Sequence, residues 1–532
     1  MSRAKTKKDA PDTVRLEHVT SIEEQFMKTA DNIEIEAQTE EIISEIRDII
    51  SGKAKKPKKK TFRDVQVEHS DKARTIQLPA GMNSDQAREW LDKYDSHMNQ
   101  TVSVERVINC FPLDGAVACW IALRKIFGFV QTKSVKGAGG SQPPPMVSVT
   151  VDHLGNQVQV PVGRIEIPGV DGYIDLSLGI NLTYIISGTV SLRHQRVVEL
   201  IARMTEKVLE ENSLYRGKAI RVDLSWMREK KVMREEHNPV FIDTTDTNPA
   251  DLILSGNVQE QIDVSVFSRI TRPLEMMQHG INLGATVLLA GKYGTGKTMT
   301  GRVIAHICEQ KGWTFIELLD VQDIAEAVRL ASMFDSHKTD GRGVVLFAED
   351  VDQATGGERD DRLNKILNTF SGVDRGKHGI ITVLTTNHHE RINPAMRRAG
   401  DRVDAMIYFD HPDRDAAMRF LPVYGGDAVS PQVYEDPQDL PEYLEGNSPA
   451  FLSELVKRAK IRAILRYGAD IDGKIDVDLL REAASSLTAH RVWAEGDVEE
   501  VPTNWDTLYN QQAGLIAELV QKNVEKYMGS IL

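Results

Sequence analysis

One stretch limits the fold more than any other: "ATVLLAGKYGTGKT", residues 285–298. Val287, Leu288, Leu289 and Ala290 form an apolar run of strand length. Gly291, Gly296, Lys297 and Thr298 then match the spacing G-x-x-x-x-G-K-[ST], and a helical pattern follows at once. A backbone that aims the successive N–H groups of residues 292–298 at one anion needs glycine where it bends. The helix that begins there adds the positive end of its dipole. In such a loop Lys297 reaches the β- and γ-phosphates of a nucleotide and Thr298 gives its hydroxyl to Mg²⁺. Lys292, Tyr293, Gly294 and Thr295 complete the cradle. Strand, glycine-rich turn and helix in that order form the first unit of a parallel α/β sheet, so the chain around them must supply more strands and crossover helices.

The following residues have that texture. "TFIELL" (314–319) reads as a strand, "DIAEAVRLASMF" (323–334) as a helix, and "GVVLFAEDVD" (343–352) as a buried strand that breaks into acid. Glu349 lies 51 residues after Thr298, room for a helix, a strand, a helix and a return strand. Glu349 occupies the place of the metal-side carboxylate of a P-loop enzyme, and Asp350 that of the carboxylate that polarises the attacking water. The usual order is Asp then Glu; here it is reversed. An Asp base is one methylene shorter, so the water must sit closer, and an error of about 1 Å costs about 100-fold. A third strand, "GIITVLTTN" (379–387), ends in Asn387. Open α/β sheets bind ligand at the carboxyl ends of their strands, which aims Asn387 at the γ-phosphate or the water.

From about residue 263 to 490 the chain resembles the AAA+ ATPase family, in its AAA clade. "NHHERINPAMRRAGDRVDAMIYFDHPD" (387–413) is similar to the family's second region of homology, N-P-A-L-x-R-x-G-R-x-D. Asn393, Pro394 and Ala395 match it. Arg398 and Arg402 fall on the two arginine-finger positions, with Asp401 inserted before the second. The resemblance implies a large α/β ATPase domain (263–411) and a helical lid (412–492), with Ser448 capping a lid helix and Ala450 at the sensor-2 position. It also implies ATP and Mg²⁺ as ligands, and a homo-oligomeric ring, a hexamer, in which a neighbour supplies the fingers. The Glu-Asp order and "TTNHHERINPA" are similar to the subgroup of the mitochondrial translocase of the Rieske protein; its substrate is not carried over.

The remaining chain is less specific. At 532 residues it exceeds one core. Residues 1–60 read as an extension, disordered and then helical (Ile42, Ile43, Ile46, Ile49 and Ile50 at helical spacing), ending in the basic linker "SGKAKKPKKK". Residues 61–225 read as a separate α+β domain for substrate or assembly, 226–262 as a polar linker, and 493–532 as a tail with a helix. The fold class expected is thus α/β, a P-loop AAA+ module of parallel sheet and lid preceded by that α+β domain. Asp and Glu number 78 against 65 Lys and Arg, which argues against a surface built to grip nucleic acid. Three cysteines without paired spacing fit a reducing cytoplasm, and no apolar run reaches about 18 residues, so no membrane insertion is expected.

Three functions fit: a ring ATPase that remodels or translocates a protein, a nucleic-acid-directed motor of the same superfamily, and an ATP-binding scaffold with little turnover. The interval after the second strand, "LLDVQD" (318–323), has neither the aromatic nor the glycine of a threading pore loop, whereas "DQATGGERDDRLNKIL" (352–367) is a second candidate for the pore. His388-His389 lacks a third ligand at metal spacing.

Overall fold

The apolar runs around the glycine-rich loop assemble into one sheet, and the chain before them covers that sheet's edge. The computed structural model describes residues 37–51, 62–69, 72–79, 81–132, 135–137, 140–142, 145–179, 181–351, 378–388, 403–438 and 440–487. They fall into two compact units, Met1–Asp410 and His411–Leu532.

The first unit opens with helix α1 (Ala37–Ser51), the hairpin β1 (Phe62–His69) and β2 (Lys72–Pro79), and helix α2 (Ser84–Met98). Asn83 closes a capping box with Gln86 at the start of α2. Then follow β3 (Thr101–Asn109), α3 (Pro112–Phe127), β4 (Gln131–Thr132), the small pair β5 (Val135–Gly137) and β6 (Gly140–Gln142), β7 (Met146–Thr150), β8 (Gln157–Pro161), β9 (Gly163–Glu166), β10 (Gly172–Leu178), β11 (Thr183–Ser191) and α4 (Gln195–Asn212). An antiparallel sheet runs β3-β11-β10-β9-β4. The runs "MVSVT" and "QVQVP" pair as a separate hairpin around the turn at 152–156.

Helix α3 starts at Pro112, whose missing N–H costs nothing in a first turn, and stops at Gly128, with φ +71. Between them it is apolar almost all round and buried. The isoleucines read at helical spacing do lie on one helix, α1: Ile42, Ile43 and Ile46 are buried in the same core as Val197 and Leu200 of α4. All three cysteines are buried thiols. Asp114 of α3 is buried too. Its Oδ2 accepts from the Ser213 hydroxyl at 2.6 Å and its Oδ1 from the Leu214 N–H at 2.8 Å. Burial pushes its pKa up to about 6, against the pull of those two bonds.

The second sheet runs β13 (Val240–Phe241), β12 (Ala219–Val222), β15 (Thr314–Leu318), β16 (Val344–Ala348), β17 (Ile380–Thr386), β14 (Ala285–Gly291), β18 (Ala405–Phe409). All neighbours are parallel except β13 against β12. Here the structure departs from the expected boundary. The run 218–224, read as the last strand of the α+β domain, supplies β12 to the parallel sheet. A short apolar strand fits any open edge. Ala219, Ile220 and Val222 are buried against β15, and the exposed Arg221 pairs with Glu317 at 2.9 Å. The α+β layer and the parallel sheet thus lie in one compact unit and share one hydrophobic cluster, running from Ile46 through Trp226 to Leu346. Residues 226–262 are likewise packed rather than strung out. Leu254, and Val258 and Ile262 of helix α5 (Gly256–Ile262), are buried with Val287 and Phe347.

Helix α6 (Lys297–Lys311) follows the glycine-rich loop, and α7 (Ile324–Phe334) follows β15. The segment carrying β12 holds α7 at both ends. Arg216 donates to the carbonyls of Phe334 (2.8 Å) and Met333 (3.0 Å), which no helical N–H can reach. Arg228 pairs with Asp320 (2.9 Å) and with buried Asp323 (3.0 Å) just before the helix. The 318–323 interval is therefore pinned, with Leu319 exposed and Val321–Asp323 wound into a short 3₁₀ turn. Replacing Arg216 with Ala should lower stability by about 2 kcal/mol. It should also speed amide exchange in the last turn of α7, read by mass spectrometry; unchanged exchange would dismiss the clamp.

In the second unit α8 (Arg414–Phe420), α9 (Pro449–Tyr467) and α10 (Val477–Ser485) pack through Ala417, Leu452, Leu455, Val456 and Leu480. Ser448 accepts the Phe451 N–H at 3.2 Å, the N-cap expected from the sequence, and Ala450 lies in that first turn. Among the described residues no helix is long and apolar enough to cross a membrane.

Candidate functional site

Three neighbouring strands, β16, β17 and β14, end on the same edge because they are parallel and in register: Ala348 is level with Leu384, and Ala290 with Thr386. The glycine-rich loop leaves β14, the acidic pair leaves β16 and Asn387 leaves β17. Side chains 51 and 37 residues apart in sequence thus meet at one place.

The loop follows its glycines. Gly294 has φ +74, and Gly296 has φ +102 and caps α6 in a left-handed conformation. A methyl at Gly296 would meet only Leu254, at 3.9 Å, so it is the backbone angle that requires glycine there. Gly291 is different: its Cβ would lie 2.3 Å from the carbonyl oxygen of Phe409 on β18. Thr295 closes the turn by donating to the Lys292 carbonyl at 2.8 Å. Lys292, Tyr293 and Gly294 are exposed at its tip. The Lys297 ammonium is buried and donates to the carbonyls of Gly291 (2.7 Å) and Lys292 (2.8 Å). Its positive charge is thereby held at the centre of the anion cradle.

The Thr298 hydroxyl donates to Glu349 Oε1 at 2.6 Å. Asn387 Nδ2 donates to Asp350 Oδ1, also at 2.6 Å. The two carboxylates are thus sorted. Glu349 faces the start of α6, where a divalent cation bound to nucleotide phosphates would sit. Asp350 faces the end of β17. The oxygen set of Thr298 and Glu349 suits Mg²⁺, a hard ion that keeps part of its water shell. Asp350 has φ +50, a left-handed backbone. The Asp350 N–H donates to Thr385 Oγ1 at 3.0 Å, and the Val351 N–H to the Thr385 carbonyl at 2.9 Å.

The structure therefore brings together Gly291, Lys292, Tyr293, Gly294, Thr295, Gly296, Lys297, Thr298, Glu349, Asp350 and Asn387. Arg398, Arg402, Asn393, His389 and the 352–367 loop lie outside the described residues. Among the described residues no group of three His, Cys, Asp or Glu side chains is placed to hold a metal. Sequence reasoning did not single out Thr385. Its only signal was a buried β-branched hydroxyl two residues before Asn387. Leu254 was missed because its segment read as a linker.

Residues 287–411 match the model of the ATPase family associated with various cellular activities (AAA). Among curated proteins, the ATP-dependent zinc metalloprotease FtsH of Acidimicrobium ferrooxidans is 28% identical over 244 residues, 43% of this chain and 35% of that protein. FtsH of Ralstonia pickettii is 27% identical over 280 residues (48% and 36%), and FtsH 1 of Thermomicrobium roseum 30% identical over 203 (35% and 30%). The chain spans about a third of the length of these relatives. With the parallel sheet, the lysine-bearing loop and the paired carboxylates at its edge, these matches identify an AAA-type ATPase domain at residues 287–411.

Proposed function

We propose that this chain hydrolyses ATP and uses the cycle, as a ring of copies, to remodel or translocate a protein. The observation that carries the reading is the sorted pair of carboxylates, Glu349 on Thr298 and Asp350 on Asn387, beside the buried Lys297. A scaffold that only holds nucleotide has no need of an oriented second carboxylate. Lys297 and the loop N–H groups bind the phosphates. Thr298 and Glu349 would hold Mg²⁺, which would neutralise charge on the phosphates. Asp350 takes a proton from a water oriented by Asn387. That water's oxygen bonds to the γ-phosphorus as the bond to the β–γ bridging oxygen breaks, leaving ADP and phosphate. The family resemblance assigns Arg398, and Arg402 after the inserted Asp401, to the arginine-finger role of steadying the developing charge from a neighbouring copy.

The pinned 318–323 turn, without aromatic or glycine, supports a remodelling action over tight threading of an extended chain. The acidic balance of the sequence weighs against a nucleic-acid track. Action in the cytoplasm belongs to the same proposal. The proteolysis in the relatives' names is theirs.

The test is steady-state ATP hydrolysis across a protein concentration series. Specific activity should rise with concentration as rings form, and fall at least about 100-fold in Lys297→Ala. Turnover independent of concentration would reject shared sites. ATP binding without turnover at any concentration would leave the scaffold reading, and stimulation by DNA the nucleic-acid one.

A further inference from the structure

We propose that Thr385 is a positioning residue for Asp350, and that the reversed Glu-Asp order follows from the left-handed backbone at residue 350. The inference rests on the hydrolytic reading above.

Strand β16 ends at Ala348, level with Leu384. Two residues on, Asp350 turns to φ +50. Its N–H donates to the Thr385 hydroxyl, at 3.0 Å, on a residue only 1% exposed. The Thr385 carbonyl then takes the next N–H, that of Val351. One residue thus fixes both peptide groups that set the direction of the Asp350 side chain, and Asn387 fixes the carboxylate. Of the two acids, Asp enters the left-handed region more readily, because its short side chain can bond locally. Glu has no such compensation, and its extra methylene would carry the carboxylate past Asn387. The metal-side position has the opposite need. There the longer Glu349, directly after the strand's last residue, spans to Thr298. Each acid sits where its length and backbone preference fit.

The test uses the full chain and three variants: Thr385→Val, which keeps shape but removes the acceptor, Thr385→Ser, which restores it, and the double exchange Glu349→Asp with Asp350→Glu. A lost backbone anchor displaces the base by a fraction of an ångström to about 1 Å, so kcat of Thr385→Val should fall about 10- to 100-fold. KM and the affinity for a fluorescent ATP analogue should stay within about threefold, since phosphate contacts are untouched. Thr385→Ser should recover most of the rate. The double exchange should be at least about tenfold slower than wild type although it restores the commoner order. Wild-type kcat in Thr385→Val, failure of Ser to rescue, or an unimpaired double exchange would each overturn the proposal. If wild type itself shows no turnover, the hydrolytic reading fails first. The latch is then judged by amide exchange at residues 350 and 351: faster in Thr385→Val and restored in Thr385→Ser supports it, and equal protection in all three overturns it.

Discussion

Asp350→Asn is expected to bind ATP as tightly as the wild type and to hydrolyse it at least about 100-fold more slowly, the usual contribution of a positioned base. The substitution is nearly isosteric. Asn is also at home at φ +50, so the backbone should hold. What goes is the acceptor for the proton of water. Glu349→Gln should behave differently. It weakens the acceptor for Thr298 and takes negative charge from the Mg²⁺ side, so the KM for Mg-ATP should rise and kcat fall together. Rapid-quench turnover beside equilibrium binding separates the two. If Asp350→Asn turns over normally and Glu349→Gln does not, the roles assigned to the two acids are reversed.

Gly301→Ala is the second large effect. In an exposed helix the change to Ala would stabilise by about 1 kcal/mol. Here Gly301 faces Phe347 across the contact of α6 with the sheet. An added Cβ would lie 2.4 Å from the ring's Cζ and under 3.0 Å from both Cε atoms. The ring has nowhere to go: it is buried and packed against Phe315, with ring centres 5.8 Å apart. Overpacking of this kind costs about 1–3 kcal/mol, which outweighs the gain in helix propensity. The damage also reaches the chemistry, because α6 begins with Lys297 and Thr298, and Phe347 lies two residues before Glu349. We expect a lower melting temperature and about tenfold weaker ATP binding, from a shift in the Thr298–Glu349 contact. Phe347→Leu in the same chain should recover much of both. A double variant no better than Gly301→Ala would show that the ring is not the obstacle.

By itself the sequence determined the parallel sheet and most of the site's membership. A strand, a glycine-rich turn and a helix in that order open a parallel α/β unit, and the short, continuously apolar runs at 285–291, 344–348 and 380–386 suit strands buried on both faces. Lys297, Thr298, Glu349, Asp350 and Asn387 were legible because each stands at the end of a readable run. The tertiary structure decided what depends on partners distant in the chain. The strand at 219–222 could pair with any open edge, and it lies beside β15, where its flanking Arg216 and Arg228 reach the two ends of α7. Arg216 and Arg228 carry no signal in the sequence and gain a role only from α7 lying between them. Thr385 acquired its role only when parallel register set its hydroxyl under the amide of residue 350. Likewise, the order of two acids is a puzzle in one dimension. It resolves once backbone angle and reach are fixed in three, because a left-handed residue favours the short acid and a distant hydroxyl the long one.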